Sequence, residues 1–418
     1  MKEFDRVIGY DSIKRELSRI IDVIKNSEKY EALGVSMPQG VLLNGGPGIG
    51  KSLLAKCFME ATGRKSFIIR KDQPDGEFVN HIREIFEKAA NDAPSVVLLD
   101  DMDKFANSDN YHRDTEEYVT IQSCIDDVKG KNVFVIATTN DIHKLPDSLV
   151  RSGRFDRTFY MQFPTGEDAK KIISFYLQNK KVAGDVDAEE IARFAGGRSC
   201  ADFESVINEA GISAGFEGKL NITQDNILKA ILYKIYGFIE KDEDSQADLR
   251  RRAIHEAGHA VATELFYPGT VSFATILSNN RGIGGMVMRN TVSISKYSLD
   301  DYEREIMISL AGKAAIDVVL QEIDIGADGD LHKAFDYTRY MIDDFCKYGF
   351  DSSCHGEETS QLVFDKLDTV TSAEMAGYYT QVKKILNDNR SFLDAIVEKL
   401  IEKKTLSYKD IAVIREAV

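Results

Sequence analysis

The run His255-Glu256-Ala257-Gly258-His259 sets two imidazoles four residues apart, with a carboxylate directly after the first. On a helix, positions i and i+4 share a face. Both rings can therefore reach one metal ion, and Glu256 can act as general base on a water at that metal. That is the physical content of an HExxH zinc-hydrolase motif. A hydrolytic zinc needs a third protein ligand and an open fourth position. A histidine six residues after His259 would complete the set, but position 265 is Leu. The third ligand must lie further along, where His332, His355 and many acidic residues stand.

A second stretch carries different chemistry. Gly45-Gly46-Pro47-Gly48-Ile49-Gly50-Lys51-Ser52 follows a short apolar run, Val41 to Leu43, and leads into a helical pattern. This is a P-loop in its required context. Backbone N–H groups wrap the phosphates of ATP, Lys51 reaches the β and γ phosphates, and Ser52 holds Mg²⁺. Two further apolar runs end in polar residues: Ser95 to Leu99 before Asp100-Asp101, and Val133 to Ala137 before Thr138-Thr139-Asn140. Beside a P-loop, Asp100 is expected to position Mg²⁺ and Asn140 to help orient the attacking water.

The elements that must hold these residues can be read from periodicity. Ile254, Ala257, Val261 and Leu265 make a helical stripe, so Arg251 to Phe266 is expected to be one amphipathic helix. Strands apolar throughout and alternating with helical stretches imply a parallel sheet covered on both faces. Residues 10–33 read as a charged helical segment. Helix starts are signalled at Thr165 and near Thr223, and residues 372–418 are helical. Ile239 to Arg250 is acidic and poor in apolar residues, which marks a linker.

Composition narrows the class. The 418 residues carry a net charge of −15, which argues against a nucleic-acid partner and against anionic membrane surfaces. Cysteines 57, 124, 200, 346 and 354 form no paired framework, as expected in a reducing compartment. No run approaches the ~18 to 20 apolar residues of a membrane helix, so no transmembrane segment is expected.

Taken in order, the P-loop, the acidic strand end, Thr138-Thr139-Asn140 and Arg151-Ser152-Gly153-Arg154-Phe155-Asp156-Arg157 resemble the AAA ATPases. With the histidine motif downstream, the chain resembles the FtsH-type AAA zinc metalloproteases over nearly all its length. The resemblance implies four parts: an α/β AAA nucleotide-binding subdomain over 1–163, a small helical lid over 164–238, the linker 239–250, and a mainly helical zinc protease domain over 251–418. It implies a ring-shaped homo-oligomer, usually a hexamer, that uses ATP, Mg²⁺ and Zn²⁺ to thread and hydrolyse polypeptides. Arg154 and Arg157 match arginines that reach the neighbouring subunit's nucleotide. Val7-Ile8-Gly9 matches an adenine-contacting segment. Asp330, in Gly326-Ala327-Asp328-Gly329-Asp330-Leu331, matches the third zinc ligand, with Asp324 and Asp328 as nearby rivals. Val271 to Arg289 resembles the edge strand beside the zinc, which can take a substrate as an added strand; the alternative is an ordinary hairpin.

Three departures from the family pattern matter. Asp101 stands where the catalytic acid is Glu, one methylene longer, so slow ATP hydrolysis is expected. Pro74-Asp75-Gly76 replaces the aromatic pore loop, and Phe78 is the nearest aromatic that could grip substrate. No anchoring helices precede the ATPase stretch, so the chain is expected in the cytoplasm, or at the cytoplasmic face of a membrane if an anchor was removed. The departures leave two alternatives: a zinc peptidase in which ATP serves assembly only, and an AAA chaperone or scaffold with a structural zinc.

Overall fold

A strand that is apolar at every position has to be covered on both faces, and the N-terminal sheet is built on that rule. The structure is a computed structural model. It describes residues 2–34, 37–71, 75–106, 115–150, 153–194, 197–237, 245–279, 284–290, 298–349 and 361–418. It divides into two compact units, Met1–Lys180 with Gly197–Ser205, and Lys181–Gly196 with Val206–Val418.

In the first unit, β1 (Gly40–Asn44), β2 (Lys65–Ile69), β3 (Ser95–Leu99), β4 (Val133–Thr139) and β5 (Arg157–Tyr160) form a parallel sheet in the order β2-β3-β4-β1-β5. The helices are α1 (Asp11–Lys25), α2 (Ser27–Glu31), α3 (Lys51–Thr62), α4 (Asp75–Asn91), α5 (Thr115–Asp127), α6 (Asp147–Val150) and α7 (Gly166–Leu177). Successive strand residues point to opposite faces. Val41, Leu43, Val96 and Leu98 therefore join α1 and α3 in one core, while Leu42, Val97, Leu99 and Val135 join α4 and α5 in the other. The strand order reverses beside β1, and such a reversal opens a crevice at the carboxyl ends of the strands. The P-loop leaves β1 there.

Phe78 corrects an expectation. It is fully buried on α4 and packs edge-on against Phe105, ring centroids 5.3 Å apart. The cost of leaving an aromatic ring in water draws it into the sheet–helix core, so it cannot grip a threaded chain from this position. Pro74 lies outside the described residues.

The second unit contains α8 (Ala188–Arg193), α9 (Cys200–Phe216) from Val206 onward, and α10 (Gln224–Ile235). Then come α11 (Gln246–Phe266), β6 (Val271–Thr275), β7 (Met286–Arg289), α12 (Leu299–Leu320), α13 (Asp328–Asp343), α14 (Gln361–Asp388), α15 (Arg390–Lys403), β8 (Thr405–Ser407) and α16 (Tyr408–Ala417). Thr223 caps α10 in a reciprocal box with Asn226. The histidine-bearing α11 starts at Gln246 rather than 251, because the Ser245 side chain accepts from the Asp248 N–H and caps it. Residues 246–250 are thus helix, and 238–244 lie outside the described residues.

Small residues let α11 and α12 cross closely: a Cβ on Gly258 would stand 2.4 Å from the Ala311 carbonyl oxygen. Ala253, Ala257, Ala260, Ala311, Ala314 and Ala315 are wholly buried in the core that α14 and α15 complete. The three antiparallel strands order as β7-β6-β8. The stretch expected to be one edge strand therefore splits. β6 is central and buried along its length, and of that stretch it is β7 that lies at an edge of the sheet.

Candidate functional site

The α-helical spacing delivers both imidazoles of α11 to one point, and the first turn of α13 brings Asp330 to meet them. His255 Nε2 and His259 Nε2 lie 3.0 Å apart, and Asp330 Oδ2 stands 3.2 Å and 3.1 Å from them. Zinc bonds of about 2.0–2.1 Å in a tetrahedron put ligand atoms roughly 3.3 Å apart. The N, N, O donor set and its spacing fit that ion. Among the described residues this is the one His/Cys/Asp/Glu cluster with metal-ligand spacing.

The rings are fixed from behind. His255 Nδ1 donates to Asp324 Oδ2 at 2.6 Å, and His259 Nδ1 to the Ile308 carbonyl at 2.8 Å. Each partner only accepts, so Nδ1 carries a proton and Nε2 is the nitrogen that would bind a cation. Asp324, weighed as a rival ligand, meets His255 at Nδ1, on the side of the ring away from the cluster. Asp328, the other rival, is exposed and pairs with His332, and His355 lies outside the described residues. For the side chains alone, burial would lower the His255 pKa, but the bonds to Asp324 and Asp330 outweigh it and push it up to about 10. Burial raises Glu256, which the nearby histidines only partly offset.

Two glycines make room. A Cβ on Gly312 would come within 2.6 Å of both imidazoles, and one on Gly285 within 2.5 Å of Glu256 Oε1. Glu256, both histidines and Asp330 line a cavity of about 680 Å³ together with Gly284 to Val287 and Arg289, on the edge strand and its approach. Arg252, on the same helical face as Glu256, holds that approach: it donates to the carbonyls of Ile276 and Gly284 at 3.1 Å and 3.0 Å. Sequence reading passed over Arg252, Gly285 and Gly312, since a contact made through space leaves no spacing to read.

The second site lies in the first unit. Lys51 Nζ donates to the Gly45 and Gly46 carbonyls, both at 2.7 Å, and to Asn140 Oδ1 at 2.8 Å. Ser52 Oγ donates to Asp100 Oδ1 at 2.7 Å, and Thr138 Oγ1 to the same oxygen at 2.8 Å. Arg70 grips Asp100 Oδ2 with Nε at 2.7 Å and with Nη2. Burial would raise the Asp100 pKa, but these donors outweigh it and hold it below the usual carboxylate range. Asp101 is paired with Lys104 Nζ at 2.6 Å. Pro47, Gly48, Gly50 to Ser52, Asp101, Lys104 and Asn140 line a cavity of about 430 Å³. Val7 and Ile8 line an adjoining cavity of about 230 Å³ with Gly48, Ile49 and Gly50; Gly9, beside them, packs on Asp168. Arg154 pairs with Asp126 at 2.7 Å and Arg157 with Glu16, rather than with Asp156, whose carboxylate accepts from the Gln39 and Gly153 amides.

Comparison with known proteins follows the same division. Residues 41–163 match the profile of the ATPase family associated with various cellular activities (AAA), and residues 244–414 match peptidase family M41. The ATP-dependent zinc metalloprotease FtsH of Lachnoclostridium phytofermentans is 33% identical, over 97% of this chain and 73% of that protein. FtsH 2 of Thermoanaerobacter sp. is 29% identical over 99% and 82%, and FtsH of Helicobacter felis 30% over 97% and 68%.

Proposed function

The chain belongs to the FtsH-type AAA zinc metalloproteases, and from that premise we propose how its residues divide the work. It is an ATP-dependent zinc metalloprotease with ATPase activity, using Zn²⁺, ATP and Mg²⁺. The peptidase-only and scaffold alternatives are not favoured.

His255, His259 and Asp330 hold the zinc, with Asp324 and the Ile308 carbonyl fixing the two rings. Zinc held there supplies the Lewis acid that acidifies water and polarises the scissile carbonyl. Glu256 accepts the proton from the attacking water at its buried carboxylate and returns it to the leaving amine. β7 receives the substrate as an added strand, so main-chain hydrogen bonds hold it with little regard to side chains. In the first unit, the P-loop amides and Lys51 bind the phosphates, and Val7, Ile8 and Gly9 flank the adenine. Ser52 and Asp100 form the magnesium end, Asp101 is the acid nearest the attacking water, and Asn140 orients it. The parts are those of 1–163, 164–238, 239–250 and 251–418, with the zinc helix reaching back to Gln246.

No helix among the described residues is long and apolar enough to cross a membrane. Among the described residues the cysteines are free, which supports a reducing, cytoplasmic setting. Hexamers are typical of the family. In such a ring Arg154 and Arg157 exchange Asp126 and Glu16 for a neighbour's nucleotide, and the substrates are unfolded or tagged polypeptides.

The observation that carries this reading is the meeting of His255, His259 and Asp330 in the cavity that Glu256 and β7 line. The test is degradation of an unfolded protein with ATP, without ATP, and by Glu256→Gln. Loss of substrate only in wild type with ATP is expected; equal loss without ATP would remove the motor from the account.

A further inference from the structure

Asp100 is a carboxylate with no free lone pair. A carboxylate offers about four acceptor sites. Ser52 and Thr138 take those of Oδ1, and Arg70 takes those of Oδ2 with both Nε and Nη2. Asp100 itself is 2% exposed. Ser52 and Thr138 are fixed to it by the start of α3 and by β4, which pairs with β3. Arg70 is different: its side chain is 52% exposed and follows the end of β2, and among the described residues it bonds to Asp100 alone. Thr138 is buried and Ser52 is held at the start of α3, so the half-exposed guanidinium is the donor most free to leave Asp100 when a cation approaches.

We propose that Arg70 is a positioning residue of the nucleotide site that stands in for magnesium at Asp100. The inference rests on Ser52 and Asp100 being the magnesium end of that site. Its physical basis is charge. Without Mg²⁺, a bare Asp100 beside ATP phosphates would repel them, and the guanidinium removes that repulsion. With Mg²⁺, the ion takes over the carboxylate and Arg70 is released. Nucleotide affinity in this chain therefore depends only weakly on Mg²⁺, and Arg70 is the reason. Removing the arginine leaves the metal as the one cation in direct contact with Asp100, with Lys51 and Lys104 acting on it only at longer range.

The test is equilibrium binding of a non-hydrolysable ATP analogue to the full chain, in excess Mg²⁺ and in EDTA, for wild type, Arg70→Gln and Arg70→Lys. The deciding quantity is the fold loss of affinity on removing Mg²⁺, since metal and nucleotide affinities are coupled reciprocally. That loss is expected to be at least about fivefold larger in Arg70→Gln than in wild type, with Arg70→Lys restoring the wild-type value. A smaller ratio overturns the inference. A generally destabilised fold would weaken binding equally in both buffers and leave the ratio unchanged. Should Arg70→Gln not fold, wild type decides alone: a loss above about tenfold in EDTA overturns the proposal, and a smaller one upholds it. Absence of nucleotide binding in every variant and buffer overturns both this inference and the reading beneath it, whereas binding with an unchanged ratio overturns this inference only.

Discussion

The metal cluster and the phosphate cradle are made ready in opposite ways. At the cluster, each imidazole is held by an acceptor behind it and leaves a nitrogen facing the centre. Gly312 lets α12 lie against both rings, where a Cβ would come within 2.6 Å of them. At the cradle, every charged group already has a partner in its own chain: Lys51 the loop carbonyls, Asp100 Arg70, Asp101 Lys104. The first site already has the spacing its ligand needs. The second is self-satisfied and must exchange partners to work. A catalytic step gains from the first arrangement because no reorganisation is needed at the moment of reaction. A switch gains from the second because two sets of partners give two states.

The largest effect should come where pre-organisation serves chemistry directly. Glu256→Gln keeps the shape and removes the base, so peptide cleavage should fall by about 10²- to 10⁴-fold. Zinc content should stay near that of wild type, since Glu256 is no ligand. Cleavage rates beside metal analysis check it. A loss of zinc would make Glu256 part of the metal's support and blur the division of roles at the cluster.

Next is a test of the first unit's core. Phe78 is wholly buried against Phe105, so Phe78→Ala should cost about 3–5 kcal/mol in unfolding of that unit. Nucleotide binding should weaken with it, while zinc-dependent cleavage of small peptides persists. Unchanged unfolding with selective loss of folded-substrate degradation would return Phe78 to a gripping role.

A third variant probes the support behind the imidazoles. Asp324→Ala deletes the acceptor of His255 Nδ1 and should weaken zinc affinity by about 10- to 100-fold. Asp328→Ala, on the exposed side of α13, should leave it unchanged. Competition with a metal indicator would measure both. Equal effects would mean that the ring is held by packing alone.

Much of this was legible in the chain because helices and parallel strands write periodicities. Two histidines four apart had to share a face, and β3 was found at Ser95–Leu99 as its apolar run implied. Asp330 came from likeness of segment, since spacing could not separate it from Asp324 and Asp328; the fold separates them by giving one to Nε2 and one to Nδ1. β8 was invisible, because three residues inside a helical tail carry no alternation to read. Arg70 was invisible for another reason. Only the pairing of Ile69 with Leu99 places residue 70 beside Asp100, and strand register is a property of the fold.

The smallest effect expected bears on the self-satisfied site. Asp101 has a left-handed backbone, φ 58°, and its amide donates to Thr138 Oγ1 at 2.8 Å. Its carboxylate is turned to Lys104. Asp101→Glu adds one methylene, about 1.5 Å of reach, and should raise ATP turnover a few-fold, far below the ~10²- to 10⁴-fold range of a well-placed base. The shortfall is assigned to Lys104, which still competes for the carboxylate. Lys104→Ala should therefore add little to Asp101 itself, too short to use its freedom, but should raise turnover further in the Asp101→Glu background. Phosphate release at saturating ATP in the four proteins reads the coupling. A fall in turnover for Asp101→Glu would remove Asp101 from catalysis. Strict additivity would show that Lys104 does not hold the acid back, and the contrast between a ready-made site and one that must exchange partners would then rest on Lys51 and Arg70.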